Sequence, residues 1–306
     1  MSSLDGRHIW IDGRLESAEG AHISAFDRGF QLGDGVFETL RARGGKPTEL
    51  AEHLARLRRS GEGLDIGFAA SLESDVEAGI AALLDAEGLG GSDGDASIRI
   101  TASRGAIGAR GLLPAERPDP TLVIQAWRVP PTPVDHLERG LQLVVSAVRR
   151  DPASPLAPLK TTSRADYVYA RLEARRAGAD DALFLTTDGR LSEATSANIF
   201  LVRGRELATP GLDCAILPGT TRSWILGWAG AAGLAPVEGS LRPADLAGAT
   251  EAFLCSSVAG ILPVTRFEDR AIGDGRPGAW TMRARAAREA FIAGDGGQAA
   301  EGRGTR

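Results

Sequence analysis

The amino-acid sequence predicts a mixed α/β (α+β) chain that folds into two domains. Segments with the two-residue periodicity of strands alternate along its 306 residues with segments that have helical periodicity. The proline-rich stretch Val129-Pro130-Pro131-Thr132-Pro133-Val134 cannot lie inside a sheet and marks a boundary. A hydrophobic content of 43% and a charged content of 25% are typical of globular domains. We therefore expect a smaller N-terminal domain (1–128), a linker (129–136), a larger C-terminal domain (137–293) and a disordered tail (294–306).

The N-terminal domain is predicted to begin with a hairpin. Residues 8–15 alternate around Asp12-Gly13, which is a strong two-residue turn signal. Thr48 can cap a helix whose leucines recur every three or four residues, and Ser74-Asp75-Val76-Glu77 is a capping box for a second helix. Two further segments have strand character, 97–102 and 121–129.

The C-terminal domain alternates in the same way. Its predicted strands are 141–148, 181–187, 190–202 and 251–256. Its predicted helices are 164–177, 221–233 and 280–293.

Charge and cysteine content exclude several classes of protein. The formal net charge is −5, so no basic excess exists to bind nucleic acid or an anionic membrane. No apolar run approaches the length of a membrane span, and the first residues contain no apolar signal core. Cys214 and Cys255 lie far apart in a chain too large to depend on a disulfide, which favours reduced thiols and a cytoplasmic location.

Familiar catalytic motifs are absent from the sequence. It contains no P-loop, no GxGxxG after a strand and no GxSxG. Its four histidines have no metal-ligand spacing, and HExxH and CxxC do not occur, so no metal is expected. A kinase, a dehydrogenase, a zinc hydrolase or a serine hydrolase would each need one of these motifs.

Lys160 is the strongest candidate for a catalytic residue. The chain has 35 lysines and arginines together, of which only Lys46 and Lys160 are lysines, so 35 − 2 leaves 33 arginines. A primary amine can lose its proton and attack a carbonyl, whereas arginine stays protonated. Lys46 lies in a turn that needs only a polar residue. Lys160 follows a proline-rich approach to a helix, and the simpler interpretation is a surface charge.

Four other segments contain residues suited to binding an anion or a cation. Thr220 and Thr221 follow glycine at the start of a helix, where free backbone N–H groups bind phosphate, although a plain helix cap would look the same. Ser257 ends a strand, and Arg56 shares a helix face with His53. Glu193 interrupts an apolar strand and needs a partner, such as a protonated pyridine nitrogen. Together with Lys160, these residues predict pyridoxal 5′-phosphate bound as a Schiff base.

At this point the chain resembles the class IV aminotransferases, the pyridoxal-phosphate enzymes of fold type IV. The matching stretches occur in family order and cover nearly the whole chain: 27–39, 53–57, Lys160, 188–189, 192–193, 198–200, 217–222, 251–257 and 263–264. The resemblance implies a small N-terminal and a larger C-terminal α/β domain with the cofactor at their interface, and a homodimer whose partner closes each active site.

The resemblance also implies individual roles. Lys160 would form the Schiff base and act as the general base, and Glu193 would hold the pyridine nitrogen. Leu217 would pack on the ring. Substrate contacts would come from Phe37, Thr39 and Arg110, the last as the candidate for the substrate carboxylate. The phosphate would be received by the remaining residues of the set, Arg56, Thr220, Thr221 and Ser257.

The substrate is less specified than the chemistry. Branched-chain enzymes usually have tyrosine five residues after the lysine, where this chain has Ala165, and Glu38 is usual among transaminases. Ser163-Arg164 and Arg110-Gly111 are similar to aminodeoxychorismate lyase. We therefore expect a transaminase that moves an amino group between an amino acid or (R)-amine and a 2-keto acid, with D-amino-acid-like or broad specificity. The alternatives are the lyase, then a branched-chain aminotransferase, and a cofactor-binding protein without turnover.

Overall fold

The chain divides into two compact units. The computed structural model describes residues 4, 6–108, 111–114 and 119–294. The first unit comprises Met1–Pro130 and Leu159–Arg164, and the second comprises Pro131–Pro158 and Ala165–Arg306. The disordered tail predicted from residue 294 lies, apart from Gly294, outside the described residues, as does Arg110.

The first unit is a six-stranded sheet covered by helices. Its strands are β1 (His8–Ile11), β2 (Arg14–Ser17), β3 (Gly35–Arg43), β4 (Lys46–Pro47), β5 (Asp95–Ser103) and β6 (Leu122–Arg128). Its helices are α1 (Arg28–Leu32), α2 (Leu50–Glu62) and α3 (Leu72–Ala86). The strand order is β2-β1-β6-β5-β3-β4, with antiparallel neighbours throughout.

One face of this sheet forms a core with α2 and α3. Helix α2 packs on β3, and α3 packs on β6 and β1. The predicted apolar stripe of α2 is confirmed, because Leu54 and Leu57 are buried in this core with Leu40 and Ile98 of the sheet. The predicted hairpin is also confirmed: Asp12 and Gly13 both have positive φ between β1 and β2.

A short segment of the chain that carries Lys160 belongs to this unit. The sequence places it in the larger domain, but its backbone is bonded to β3. Phe37 N donates to Lys160 O at 2.9 Å, and Thr162 N donates to Gly35 O at 2.9 Å. These bonds extend the hydrogen bonding of β3 to a segment more than 100 residues away in the sequence. The position of Lys160 is therefore set by a buried strand.

The second unit is built on a larger mixed sheet. Its strands are β7 (Leu141–Arg150), β8 (Asp181–Thr186), β9 (Leu191–Ala194), β10 (Asn198–Arg203), β11 (Glu206–Pro210), β12 (Ala235–Gly239), β13 (Glu251–Ser256), β14 (Gly260–Phe267) and β15 (Arg270–Ala271). Its helices are α4 (Val134–Glu138), α5 (Ala165–Arg176), α6 (Thr220–Ala232), α7 (Pro243–Ala247) and α8 (Ala279–Ala293), and a 3-10 turn spans Leu212–Cys214.

The strand order of this sheet is β12-β11-β10-β13-β14-β7-β8-β9, with β15 beside β14. Strand β7 is parallel to β14 and to β8, and β12 is parallel to β11. Helix α6 packs on β12 and β13, α8 on β13 and β14, and α5 on β7 and β8. The core beneath α6 and α8 includes Phe200 and Phe253, whose rings stack at 5.2 Å. The start of α6 and the end of β13 are thereby held on one scaffold.

Three predicted boundaries are wrong in detail. Helix α2 is capped by Glu49 in the left-handed conformation, and not by Thr48. Helix α3 begins at Leu72, before the predicted box at Ser74, because Leu72 and Val76 both reach the core. The strand predicted at 190–202 is two strands, since Ala194 N donates to Ala197 O in a tight turn at 2.8 Å. Among the described helices the longest have 15 residues, and none has the length and apolar character needed to span a membrane.

Candidate active site

The first unit presents an amine, an aromatic ring and a guanidinium on one face of its sheet. Thr39 lies opposite Arg99 and Phe37 lies opposite Thr101 in the register of β3 and β5. Residues directly opposite in an antiparallel pair, and those two apart along a strand, share one face. The Lys160 Nζ lies 4.7 Å from the centroid of the Phe37 ring. The structure thus brings together three predicted site residues, Lys160, Phe37 and Thr39.

Arg99 is a residue of this face that the sequence analysis missed. Its Cζ lies 3.9 Å from the Phe37 centroid, and its Nε donates to Thr101 Oγ1 at 3.2 Å. Burial, and next the like charge of Arg164, lower the pKa of Arg99. Within the described residues no carboxylate forms an ion pair with Arg99. A partly buried guanidinium in such surroundings is suited to an anionic ligand.

Arg164 contributes a further cation to the same ring. Its Cζ lies 5.7 Å from the Phe37 centroid, so cations of three residues surround one aromatic side chain.

The signal for Arg99 in the sequence was its place in Ser97-Ile98-Arg99-Ile100-Thr101, where it alternates with buried isoleucines. A charged residue on the polar side of such a strand is usually solvated, so this pattern alone does not predict a functional role for Arg99.

The opposite face of β3 carries a buried ionic cluster. Glu38, His53 and Arg56 are nearly inaccessible to solvent. Arg56 donates from Nε to Glu38 Oε1 and from Nη2 to Oε2, each at 2.7 Å, and His53 Nδ1 lies 2.7 Å from Oε2. Burial would raise the pKa of Glu38, but the hydrogen bonds and charges of Arg56 and His53 lower it to about 2. Arg56 is therefore buried and oriented by an ionised carboxylate.

In the second unit a buried carboxylate is held near the start of α6. Glu193 on β9 is 5% exposed, and its Oε2 accepts hydrogen bonds from Leu217 N at 2.9 Å and Asn198 Nδ2 at 3.4 Å. Arg150 Nη2 lies 3.9 Å from Oε1. These donors favour the ionised carboxylate, which is the form that pairs with a protonated pyridine nitrogen. A hydrogen bond from the Leu217 backbone thus joins two predicted site residues, Glu193 and Leu217.

The start of α6 has the features of an anion-binding site. Its N-cap is Gly219, which offers no side-chain cap, and no acidic residue occurs in the first turn. The first N–H groups of a helix lack partners within the helix and attract anions. A Cβ at position 219 would lie 2.1 Å from Asn198 Oδ1, so any side chain there would displace the Asn198 amide. Thr220 Oγ1 and Ser257 Oγ lie 3.2 Å apart, which brings together two hydroxyls predicted to receive phosphate.

These two groups of residues fit pyridoxal phosphate in chemistry. The first unit supplies a primary amine anchored by backbone bonds, with Lys160 N donating to Ser60 Oγ at 3.1 Å. The second supplies a hydrogen-bonded carboxylate and a helix start with hydroxyls for a phosphate. No cluster of three metal-ligating side chains occurs among the residues that the structure describes.

Comparison with known proteins agrees with this chemistry. Residues 35–267 match the family described as "Amino-transferase class IV". A putative branched-chain-amino-acid aminotransferase of Methanocaldococcus jannaschii is 33% identical, over 90% of this chain and 93% of its own. An aminodeoxychorismate lyase of Bacillus subtilis is 32% identical, over 85% and 87%. A D-alanine aminotransferase of Bacillus licheniformis is 28% identical, over 91% and 95%.

Solved structures extend the similarity to the fold. The branched-chain amino acid aminotransferase of Escherichia coli superposes with a TM-score of 0.88 at 25% identity, covering 97% of both chains. The 4-amino-4-deoxychorismate lyase of Pseudomonas aeruginosa gives a TM-score of 0.77 at 33% identity, covering 91% of this chain and 97% of its own.

Proposed function

Because the chain belongs to the class IV aminotransferase family, whose members depend on pyridoxal phosphate, we propose that its amino donors are carboxylate-bearing amino acids. The proposed reaction moves the amino group to a 2-keto acid, with D-amino-acid-like or broad specificity. One observation carries the proposal. The Lys160 amine and the Arg99 guanidinium both lie against the ring of Phe37. An amino acid bound here can therefore place its carboxylate at the guanidinium while its amino group and Cα lie beside the amine.

The proposed cofactor is pyridoxal 5′-phosphate. Lys160 would hold it covalently, Glu193 would pair with its pyridine nitrogen, and Leu217 would pack against the ring. Its phosphate would be received by four residues, Arg56, Thr220, Thr221 and Ser257. When bound, the cofactor supplies an electron-poor ring that accepts the electron pair left on the substrate Cα.

The residues of the chain then have distinct tasks. Lys160 Nζ takes the proton from the Cα of the donor, since a primary amine of suitable basicity is a general base. Arg99 holds the donor carboxylate, a role that the sequence assigned to Arg110. Glu193 keeps a proton on the pyridine nitrogen. Phe37 and Thr39 bound the space beside the amine, and Glu38 keeps Arg56 in its orientation.

A substrate panel tests the proposed reaction. Purified holoenzyme is incubated with D-alanine, L-leucine or (R)-1-phenylethylamine and 2-oxoglutarate, and glutamate formation is measured. We expect turnover with D-alanine, and none in the Lys160→Ala variant. Activity confined to L-leucine would support the branched-chain alternative and contradict the proposal.

Aminodeoxychorismate lyase is the second candidate function. The similarity to the Bacillus subtilis lyase and the place of Arg164 beside Phe37 favour it. Glu38, which pairs with Arg56, favours the transaminase, because the family resemblance makes glutamate usual at this position among transaminases. Release of pyruvate from aminodeoxychorismate without an added keto acid would establish the lyase. If the protein binds the cofactor but shows no activity in any of these assays, it is a cofactor-binding protein without turnover.

A homodimer is part of the proposal. In the first unit Phe30 is 77% and Leu113 89% exposed, and Arg28 connects their segments by donating to Gly111 O and Leu112 O at 3.0 and 2.8 Å. A partner subunit that covered these two side chains would remove their apolar surface from water. We expect light scattering to give a dimer for the wild type and a monomer for Phe30→Ser/Leu113→Ser. The control Leu15→Ser should stay dimeric, and a dimeric double variant would move the interface elsewhere.

The proposed location is the cytoplasm. Cys214 and Cys255 are both buried and neither forms a disulfide, which fits a reducing compartment.

A further inference from the structure

A buried arginine of α8 reaches the first turn of α6. Arg288 is 1% exposed and Thr221 is 2% exposed, and Arg288 Nη2 donates to Thr221 Oγ1 at 3.4 Å. The guanidinium also lies between two rings, with its Cζ 5.1 Å from the centroids of both Trp224 and Phe291. Arg288 is the largest of the fully buried side chains in the described part of the chain.

The charge of Arg288 has an unusual sign for its position. The N-terminus of a helix carries a partial positive charge, so a cation there is unfavourable and an anion is favourable. The first turn of α6 contains no acidic residue that would reverse this. Arg288 directs a guanidinium nitrogen at the Thr221 hydroxyl of this same turn. An anion bound at this helix start would be attracted both by the helix N-terminus and by the buried cation.

The hydrogen bond also fixes the role of the Thr221 hydroxyl. A threonine hydroxyl has one hydrogen to donate and two lone pairs that accept. Arg288 donates to one lone pair, so the hydroxyl hydrogen is left for another acceptor. Phosphate oxygens accept such hydrogens, and an arginine behind the hydroxyl strengthens its donation by polarising the O–H bond.

We propose that Arg288 is a positioning residue for the phosphate of the cofactor. It acts through the Thr221 hydroxyl and through its charge at the α6 start, and the inference rests on the proposed function. The ligand group it serves is a phosphate monoester dianion. Arg288 therefore distinguishes pyridoxal phosphate from pyridoxal, which has the same ring and aldehyde but no phosphate.

The test compares affinities for these two compounds. Apoprotein of the wild type and of Arg288→Met is titrated with pyridoxal phosphate and with pyridoxal, and binding is followed by absorbance. Methionine keeps an apolar stem between the two rings. We expect Arg288→Met to weaken pyridoxal phosphate binding by about tenfold and to leave pyridoxal binding unchanged. Arg288→Lys should recover much of the lost selectivity, because it restores the charge.

The matched control is Arg283→Met. Arg283 lies on the exposed side of the same helix, over the ring of Trp280 at 4.4 Å, and its removal should change neither affinity. A second readout is the rise in melting temperature of the apoprotein on addition of inorganic phosphate, which should be smaller in Arg288→Met than in the wild type. An equal loss of affinity for both compounds, or no loss, overturns the proposal.

A variant of Thr221 covers the case in which Arg288→Met does not fold. Thr221→Val should lower selectivity for the phosphorylated compound, and adding Arg288→Lys to it should lower selectivity little further, because both changes act on one hydrogen bond. Additive losses of selectivity in the double variant would contradict the proposal that Arg288 acts through the Thr221 hydroxyl. If wild-type protein binds pyridoxal phosphate no better than pyridoxal, or forms no borohydride-stable adduct at Lys160, the proposed function itself fails.

Discussion

Arg56 and Glu38 are joined by two parallel hydrogen bonds, Nε to Oε1 and Nη2 to Oε2, each 2.7 Å long and both screened from solvent. This geometry fixes the plane of the guanidinium, which a single bond would leave free to rotate. The strand that carries Phe37 toward Lys160 therefore also orients, through the next residue, an arginine expected at the phosphate.

Removing the charge of Glu38 should destabilise the protein. Glu38→Gln leaves Arg56 buried without its anionic partner, and breaking a buried pair in this way costs about 3 to 5 kcal/mol. Urea unfolding of the apoprotein would measure the loss. The control is Glu73→Gln, which breaks a surface pair with Arg58 and should cost less than about 1 kcal/mol. Equal losses in the two variants would show that burial of the Glu38 pair has no special effect.

The same carboxylate predicts a dependence of stability on pH. Its pKa is lowered from 4.5 to about 2, so Glu38 contributes stability that is present above pH 4.5 and is lost as the pH falls toward 2. The shift corresponds to about 3 kcal/mol. The difference in unfolding free energy between wild type and Glu38→Gln should therefore shrink between pH 4.5 and pH 2. Curves that stay parallel through this window would refute the assignment.

Arg99 should select for substrates with a carboxylate. In Arg99→Met we expect KM for D-alanine to rise about tenfold or more, since a hydrogen-bonded charge pair is lost. Turnover of (R)-1-phenylethylamine, which has no carboxylate, should change little. Arg128→Met removes an exposed arginine from the same sheet and should behave as wild type. A similar loss with both substrates would mean that Arg99 serves the fold or the cofactor.

Glu193 should affect turnover more than cofactor retention. In Glu193→Gln the amide oxygen can still accept from Leu217 N, but the negative charge is lost. We expect kcat to fall about 100-fold with pyridoxal phosphate still bound. Steady-state kinetics and the cofactor absorbance measure the two effects separately. Glu206→Gln, on the same sheet and only partly buried, is the control, and unchanged kcat in Glu193→Gln would remove this residue from the chemistry.

Local patterns predicted much of the fold. The hairpin at Asp12-Gly13 and the strand Glu251–Ser256 were found where expected, because turn chemistry and alternation are properties of neighbouring residues. The start of α3 was misplaced, because burial of Leu72 extends the helix beyond its local cap signal. Tertiary packing decided this boundary.

In the candidate site, too, some residues could be identified from local sequence and others only from tertiary packing. Lys160 stood out because the chain has only two lysines, and Glu193 stood out because it interrupts an apolar strand. Arg99 did not, because an arginine on the polar side of a strand is ordinary until the sheet places it against Phe37. Arg288 was hidden in a helix rich in arginine, and only burial against Trp224 and Phe291 distinguishes it. Contacts between distant segments leave no local trace in the sequence.

The return of Leu159–Arg164 to the first unit has a consequence for biosynthesis. The backbone groups of Gly35 and Phe37 that bond this segment are made about 125 residues before their partners, so they wait while most of the intervening chain emerges from the ribosome. A nascent chain of 128 to 159 residues therefore contains every strand of the first unit's sheet but lacks Lys160, the amine on which the proposed chemistry depends.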